Sequence, residues 1–299
     1  MSFSGLSDLF QGQDEPRKHL ASLLTLKAPE NAKKYLIERH RAVFFYVNAY
    51  GTMLKRWQSY PSISASNVEP VLESDLSDPA FVTELAEKLS FDISRFIDFI
   101  EGYAGVAEDI KPVMLHYAMI YLLDFFSRTW LKYGQNMSHG IQMMPQGGRQ
   151  SILNIKVKIL ENGIFPRVVD AFYLMYQPSL FSNDDDQGIG YLVNIESGGT
   201  TPPELKKLPY CNKPQIRLSE LLDLYGKLTS FEHIHITAAN KILTGYLILF
   251  LMSSISRYKA KEWFAIRNDR NLNSRIELLN HDFVSEWIPE LLLQKSIRL

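Results

Sequence analysis

Between Arg257 and Arg275 six basic residues, Arg257, Lys259, Lys261, Arg267, Arg270 and Arg275, stand against only Glu262 and Asp269, with Tyr258, Trp263 and Phe264 interleaved. That mixture has a defined chemistry. Lysine and arginine neutralise phosphates while an aromatic ring stacks on an unpaired base, so Lys259, Lys261, Trp263, Arg267 and Arg270 are candidate contacts to single-stranded nucleic acid. The same residues have a plainer use, because cations are favoured at a helix C-terminus by its dipole and large aromatics usually fill cores. His233-Ile234-His235 on a strand would point two imidazoles to one side and begin a metal site. A third ligand is missing nearby and Glu232 would face the other way, so a turn before a helix is the better reading and no metal is expected. Asp184-Asp185-Asp186 lacks the alternating acids and closing glutamate of a calcium loop. No Walker-type phosphate loop, Gly-x-Gly-x-x-Gly, nucleophile elbow or His-Glu-x-x-His occurs, and no cofactor is expected.

Arg275 is followed by five residues and then His281, a spacing that matches the Arg-(four to six)-His pattern of HEPN-type ribonucleases. The resemblance implies a metal-independent endoribonuclease working at a helical dimer interface. His281 would help deprotonate a ribose 2′-hydroxyl while Arg275 stabilises charge on the attacked phosphate. The intervening Ile-Glu-Leu-Leu-Asn is less polar than that pattern usually is, and the competing reading is a surface arginine and histidine near the last helix.

These residues need elements to hold them. At 299 residues and 46% hydrophobic the chain can bury a large core without staples, and its single cysteine, Cys211, excludes an internal disulfide and Cys-rich zinc sites. A formal net charge of -1 excludes a generic polycation that coats nucleic acid, so any charge-driven partner must be met locally. The first ten residues carry neither the charges nor the apolar run of a signal peptide, and the expectation is a cytoplasmic protein. Val113 to Phe126 and Ile242 to Ile255 are apolar but shorter than the ~20 residues needed to cross a bilayer, which predicts two core helices and no membrane partner.

Helix starts are read at Asp14 to Pro16, at Pro29 and at Asp78-Pro79. They predict helices over Pro29 to Gln58, Ala80 to Leu89 and Ile93 to Tyr103, with a polar loop over Ser62 to Ser77 and the first core helix running to about Tyr133. From Ser151 the residues alternate, with Ile155, Val157 and Ile159 on one face, which predicts a half-buried strand ending at Asn162-Gly163. Tyr191 to Ile195 is a second strand candidate and Gly198 to Pro203 a loop. Beyond Arg217 the pattern predicts a helix over Glu220 to Lys227, the second core helix over Ala238 to Tyr258, and an amphipathic helix near Phe283 to Leu293. The fold class is α+β, predominantly α-helical, with two buried apolar helices in a shared core and a small β insert. The regions are 1–136, a helical part, 137–215, the β-containing insert, and 216–299, a second helical part, together one compact domain.

The order of segments resembles the YaaC-like family of bacterial cytosolic proteins. The pieces that carry the resemblance are Leu115-His116-Tyr117 with Leu122-Leu123, Ser138-His139-Gly140, Lys156-Val157, Gly163-Ile164-Phe165-Pro166, Leu218 to Leu222, and Leu251 to Tyr258 with Trp263. The molecular role of that family is largely undefined; the lack of a complete catalytic constellation favours a non-catalytic interaction or regulatory subunit of a bacterial protein assembly, and the YaaC-like and partly HEPN-like appearance suggests antiphage defence as one setting. The partner would be another protein subunit or further copies of the chain. If the two core helices run in the same direction, His139 after the first and Arg257 at the end of the second meet at one end of the core. Ser253 and Ser254, one turn earlier, would then complete an anion pocket. The competing role for Arg257 is to cap helix carbonyls, and for His139 to order its loop.

Overall fold

The computed structural model describes residues 22–44, 68–103, 105–133, 138–144, 151–160, 162–180, 215–228, 234–288 and 291. Asp184 to Asp186, Tyr191 to Ile195, Gly198 to Pro203, Cys211 and His233 lie outside them.

Helix α1 spans Pro29–Phe44, β1 Glu69–Pro70, α2 Glu73–Leu76, α3 Pro79–Tyr103 and α4 Lys111–Trp130. Strand β2 is Leu131–Lys132, β3 Ile141–Met143 and β4 Lys156–Ile159, preceded by a 3-10 turn over Ile152–Asn154. Helix α5 spans Ile164–Leu180, β5 Gln215–Arg217, α6 Leu218–Leu228, α7 Ile234–Tyr258, α8 Ala260–Asn268 and α9 Arg270–Asp282, which runs into a π-helical turn over Phe283–Trp287.

The fold is predominantly helical with small antiparallel sheets, as the sequence predicts. Its two apolar segments are central: α4 packs against α3, α5 and α7, and α7 against α4, α5 and α6. Residues 241–255 of α7 are buried on every side, so this helix is surrounded by protein rather than lying on the surface. Among the described residues no helix is long and apolar enough to cross a membrane.

Five local expectations change. Helix α3 is continuous where two helices are predicted, because the polar residues at the supposed break find tertiary partners: Ser90 Oγ donates to the carbonyl of Lys27, and Asp92 pairs with Arg128. Asp78 starts it, its Oδ1 accepting from the Ala80 N–H at 2.9 Å. Part of the supposed polar loop, over 69–76, instead holds β1 and α2, and α4 stops at Trp130 because Leu131 and Lys132 leave the helix to pair with Pro70 and Glu69. The period-two stretch from Ser151 becomes a strand only at Lys156, after the 3-10 turn; Ile155 and Val157 are buried as its pattern requires. The last helix begins at Arg270 rather than near Phe283. Asp269 caps it by accepting from the N–H groups of Asn271 and Leu272 at 3.0 Å, and Leu272, Ile276 and Leu279 form its buried stripe.

The three-stranded sheet has order β3-β4-β5, with Val157 opposite both Met143 and Ile216. It joins the core where two glycines meet. Gly140 has φ 72° and Gly163 φ 127°, and a Cβ on Gly163 would overlap the backbone of Gly140. Across this contact Ile164 donates to the Ser138 carbonyl at 2.9 Å and Phe165 to the His139 carbonyl at 3.1 Å, so the start of α5 is tied to the segment before β3. Gly163→Ala is therefore expected to cost about 2 kcal/mol through backbone strain alone. A urea-unfolding midpoint equal to that of the native protein would contradict this.

Candidate functional site

Four positions on α7, Tyr246, Phe250, Ser253 and Arg257, are spaced i, i+4, i+7 and i+11 and therefore share one face. That face meets His116 of α4. The His116 ring lies 5.4 Å from Tyr246 and 5.5 Å from Phe250, 5.7 Å from its neighbour Tyr117, and 5.4 Å from His139. Tyr246 in turn stacks on Phe165 of α5 at 5.9 Å. The Gly140–Gly163 contact and the bond from Phe165 to the His139 carbonyl hold His139 at this point. Towards solvent, the Arg257 guanidinium lies 6.0 Å from the Tyr117 ring and 5.0 Å from that of Tyr258, while its Nε donates to the Ser253 carbonyl at 3.1 Å.

The cluster thus joins the start of α4, the segment around His139, the start of α5 and the end of α7; because the end of α7 meets the start of α4, the two core helices run antiparallel and not in the same direction. His139, Ser253 and Arg257 are brought into one cluster; Ser254 is buried but lies about 100° round α7 from Ser253, on another face. The sequence reading did not single out His116 or Tyr246. Both sit in apolar runs, and the usable signal was the helical spacing from Tyr246 to Arg257.

The cluster is polar inside an apolar core. His116 Nδ1 and Nε2, His139 Nδ1, Tyr246 Oη and Ser253 Oγ are buried with no hydrogen-bond partner among the described residues. Each such atom costs about 1–3 kcal/mol. Burial, with the nearby His139 and Arg257, holds the His116 imidazole far below the usual histidine range. Burial and Arg257 lower His139 as well, and burial raises the Tyr246 hydroxyl. Both rings are therefore neutral near pH 7, each with one N–H donor and one acceptor nitrogen.

The remaining candidate residues lie elsewhere. Trp263 is buried, with its Nε1 donating to Asp109 Oδ1 at 2.5 Å, so it cannot stack on a base; the aromatic rings exposed in that stretch are Tyr258 and Phe264. Lys261, Arg267 and Arg270 are exposed and Lys259 half-buried. Arg267 pairs with Glu108 at 3.5 Å. Arg275 and His281 share α9, but a separation of six residues turns them about 120° apart. Arg275 pairs with Asp223 of α6 at 3.1 Å, and the exposed His281 contacts Ser285. Helix α7 already begins at Ile234, so the strand geometry for paired histidines is not present there, and among the described residues no three potential ligands gather for a metal.

A separate cleft of about 380 Å³ is lined by Glu69, Glu84, Lys88, Arg128, Lys132 and Tyr133 with apolar neighbours. Its cations are already engaged: Lys88 with Glu84 at 2.6 Å, Lys132 with Asp75 at 3.0 Å, and Arg128 with Asp124 at 2.8 Å. No protein-family model, curated protein or solved structure matches the chain.

Proposed function

We propose that the chain is a non-catalytic interaction or regulatory subunit of a cytoplasmic bacterial protein assembly, antiphage defence being one setting. It docks on another protein subunit, or on further copies of itself, through the face made by the end of α7 and by α8. One observation carries this reading: Tyr258 and Phe264 are 68% and 71% exposed, beside Arg257, Lys259, Lys261 and Arg270, which have no acidic partner among the described residues. Exposed aromatic anchors with a polar, charged surround are the composition of a protein interface. The complementary partner is an acidic surface with an apolar recess. The YaaC-like order of segments supports the same reading.

Replacing Tyr258 and Phe264 together by serine is expected to leave unfolding free energy within about 1 kcal/mol of the native value, since neither ring is buried. Association of the tagged chain with its partner, or with itself, should weaken at least tenfold. Unchanged association in the double variant would overturn the reading.

The interleaving of rings and cations favours single-stranded nucleic acid as a second occupant of this face. Four phosphate contacts predict that affinity for a single-stranded oligonucleotide falls about 50-fold between 50 and 200 mM salt. Binding that ignores salt would dismiss it. A metal-independent ribonuclease has less support, because Arg275 is engaged by Asp223 and points away from His281; cleavage in EDTA that His281→Ala abolishes would restore it.

A further inference from the structure

We propose that His116, His139, Tyr246, Ser253 and Arg257 form a binding site for a small oxyanion, phosphate or carboxylate, at the end of the shared core. The site shares Arg257 with the face proposed above, but its other members lie beneath that face and include none of Tyr258, Phe264, Lys259 and Lys261. Its first support is the set of five buried polar atoms without partners, two of them on a fully buried imidazole. Burying one such atom is ordinary; gathering five in one cluster requires something there to bond to.

The second support is the sign of the charge. One N–H of each neutral imidazole and the two hydroxyls can donate, with one nitrogen of His116 left as an acceptor, and among the described residues the full charge that acts on both histidines is the Arg257 guanidinium, which depresses their protonation. The carboxylate that acts on Tyr246 is Asp124, and it is held by Arg128 at 2.8 Å. Donors that outnumber acceptors, beside one cation and with no acid among the described residues in the cluster, favour an anion.

The third support is access. His139 is half-buried, with Nδ1 inward, and Arg257 is exposed, so the cluster runs from the surface inward through Arg257, Tyr117, His139 and His116 to Tyr246. The ligand enters at Arg257, whose guanidinium and the Ser253 hydroxyl bind it by charge-assisted and neutral hydrogen bonds, with the imidazoles as further donors.

The test is calorimetric titration of the full chain with inorganic phosphate, acetate and a nucleoside monophosphate at constant ionic strength. Saturable binding of at least one is expected, weakened at least tenfold by Arg257→Gln and several-fold by Ser253→Ala, but unchanged by Lys34→Gln, an exposed lysine of α1. Phosphate against acetate separates tetrahedral from planar anions, and the monophosphate arm separates a free anion from one carried on a larger molecule. Because buried substitutions can disturb folding, a second readout uses the native chain. The bound anion should raise the pKa of His139, followed by NMR of its ring, by offsetting Arg257. Absence of saturable binding by all three anions, or equal weakening by Lys34→Gln and Arg257→Gln, would overturn the proposal, as would a His139 titration that no anion moves.

Discussion

Arg128→Ala is expected to destabilise the protein by about 3–5 kcal/mol, because it leaves the buried Asp124 carboxylate without its cation. The Arg128 side chain is 6% exposed and lies between Asp92, 3.1 Å from its Nε, and Asp124, 2.8 Å from its Nη2. Tyr133 closes the group: its hydroxyl donates to Asp124 Oδ1 and contacts Ser127 Oγ at 2.6 Å, and its ring lies 4.9 Å from Arg128 and 4.3 Å from Arg167. The two acids differ in what they cost. Burial, followed by repulsion from Asp124, raises the Asp92 carboxyl well above the usual carboxylate range, so its neutral form is favoured before any substitution. Asp92→Asn should consequently change stability by no more than about 1 kcal/mol. Urea unfolding at pH 7 measures both, and similar costs for the two variants would refute this account of the charges.

Acidification from pH 7 to pH 5 should remove about 4 kcal/mol through two histidines. His40, whose Nε2 lies 2.6 Å from the Thr129 carbonyl oxygen, is lowered by burial to about 4, and His116 is held well below 6.5. Unfolded histidine titrates near 6.5. Below that pH the unfolded chain binds protons that the folded chain refuses. The stability present above pH 6.5 is therefore lost as pH falls towards the folded values, at about 1.4 kcal/mol per pH unit for each ring. Asp92 acts in the opposite sense, since its raised folded pKa makes acid stabilising for that group, and the net loss is correspondingly smaller. Substitution isolates the histidine contribution: His40→Gln should flatten the stability profile by about 1.4 kcal/mol per unit between pH 6 and 4.5. Parallel profiles for the native protein and the variant would exclude His40 as a source.

Much of the architecture is legible in residue order. The apolar runs in α4 and α7, the Asp78-Pro79 start and the alternation of Ile155 and Val157 each express one local rule, and the structure follows them. What escapes local reading depends on distant partners. Ser90 and Asp92 look like a helix break until the Lys27 carbonyl and Arg128 supply their bonds, and two-residue strands such as β1 and β2 have no period to detect. Trp263 illustrates the same limit, since only the fold reveals that Asp109, far away in sequence, holds its indole N–H. For the candidate site, the meeting of His139 with Arg257 does not come from the same-direction packing that the sequence suggests: Tyr117 and His116 at the start of α4 face Arg257 and Phe250 near the end of α7, so the two core helices run antiparallel. Nor is the depth of His116 legible, because a histidine between Leu115 and Tyr117 reads the same whether it faces a cluster or a seam of leucines.

The pairing of β4 with β5 bears on the order in which the molecule assembles. Val157 opposite Ile216 closes a loop of about 60 residues for a ladder only three residues long. The large entropy of closure meets little local reward, whereas α3 and α4 adjoin in sequence and bury an extensive surface as soon as they dock. The helical body is therefore expected to condense early and the sheet to lock late. The segment carrying His139 is fixed by bonds from Leu160, Ile164 and Phe165 to residues 138–140, none of them with β5, so the cluster around His116 does not wait for that last ladder and partly folded chains would already carry it.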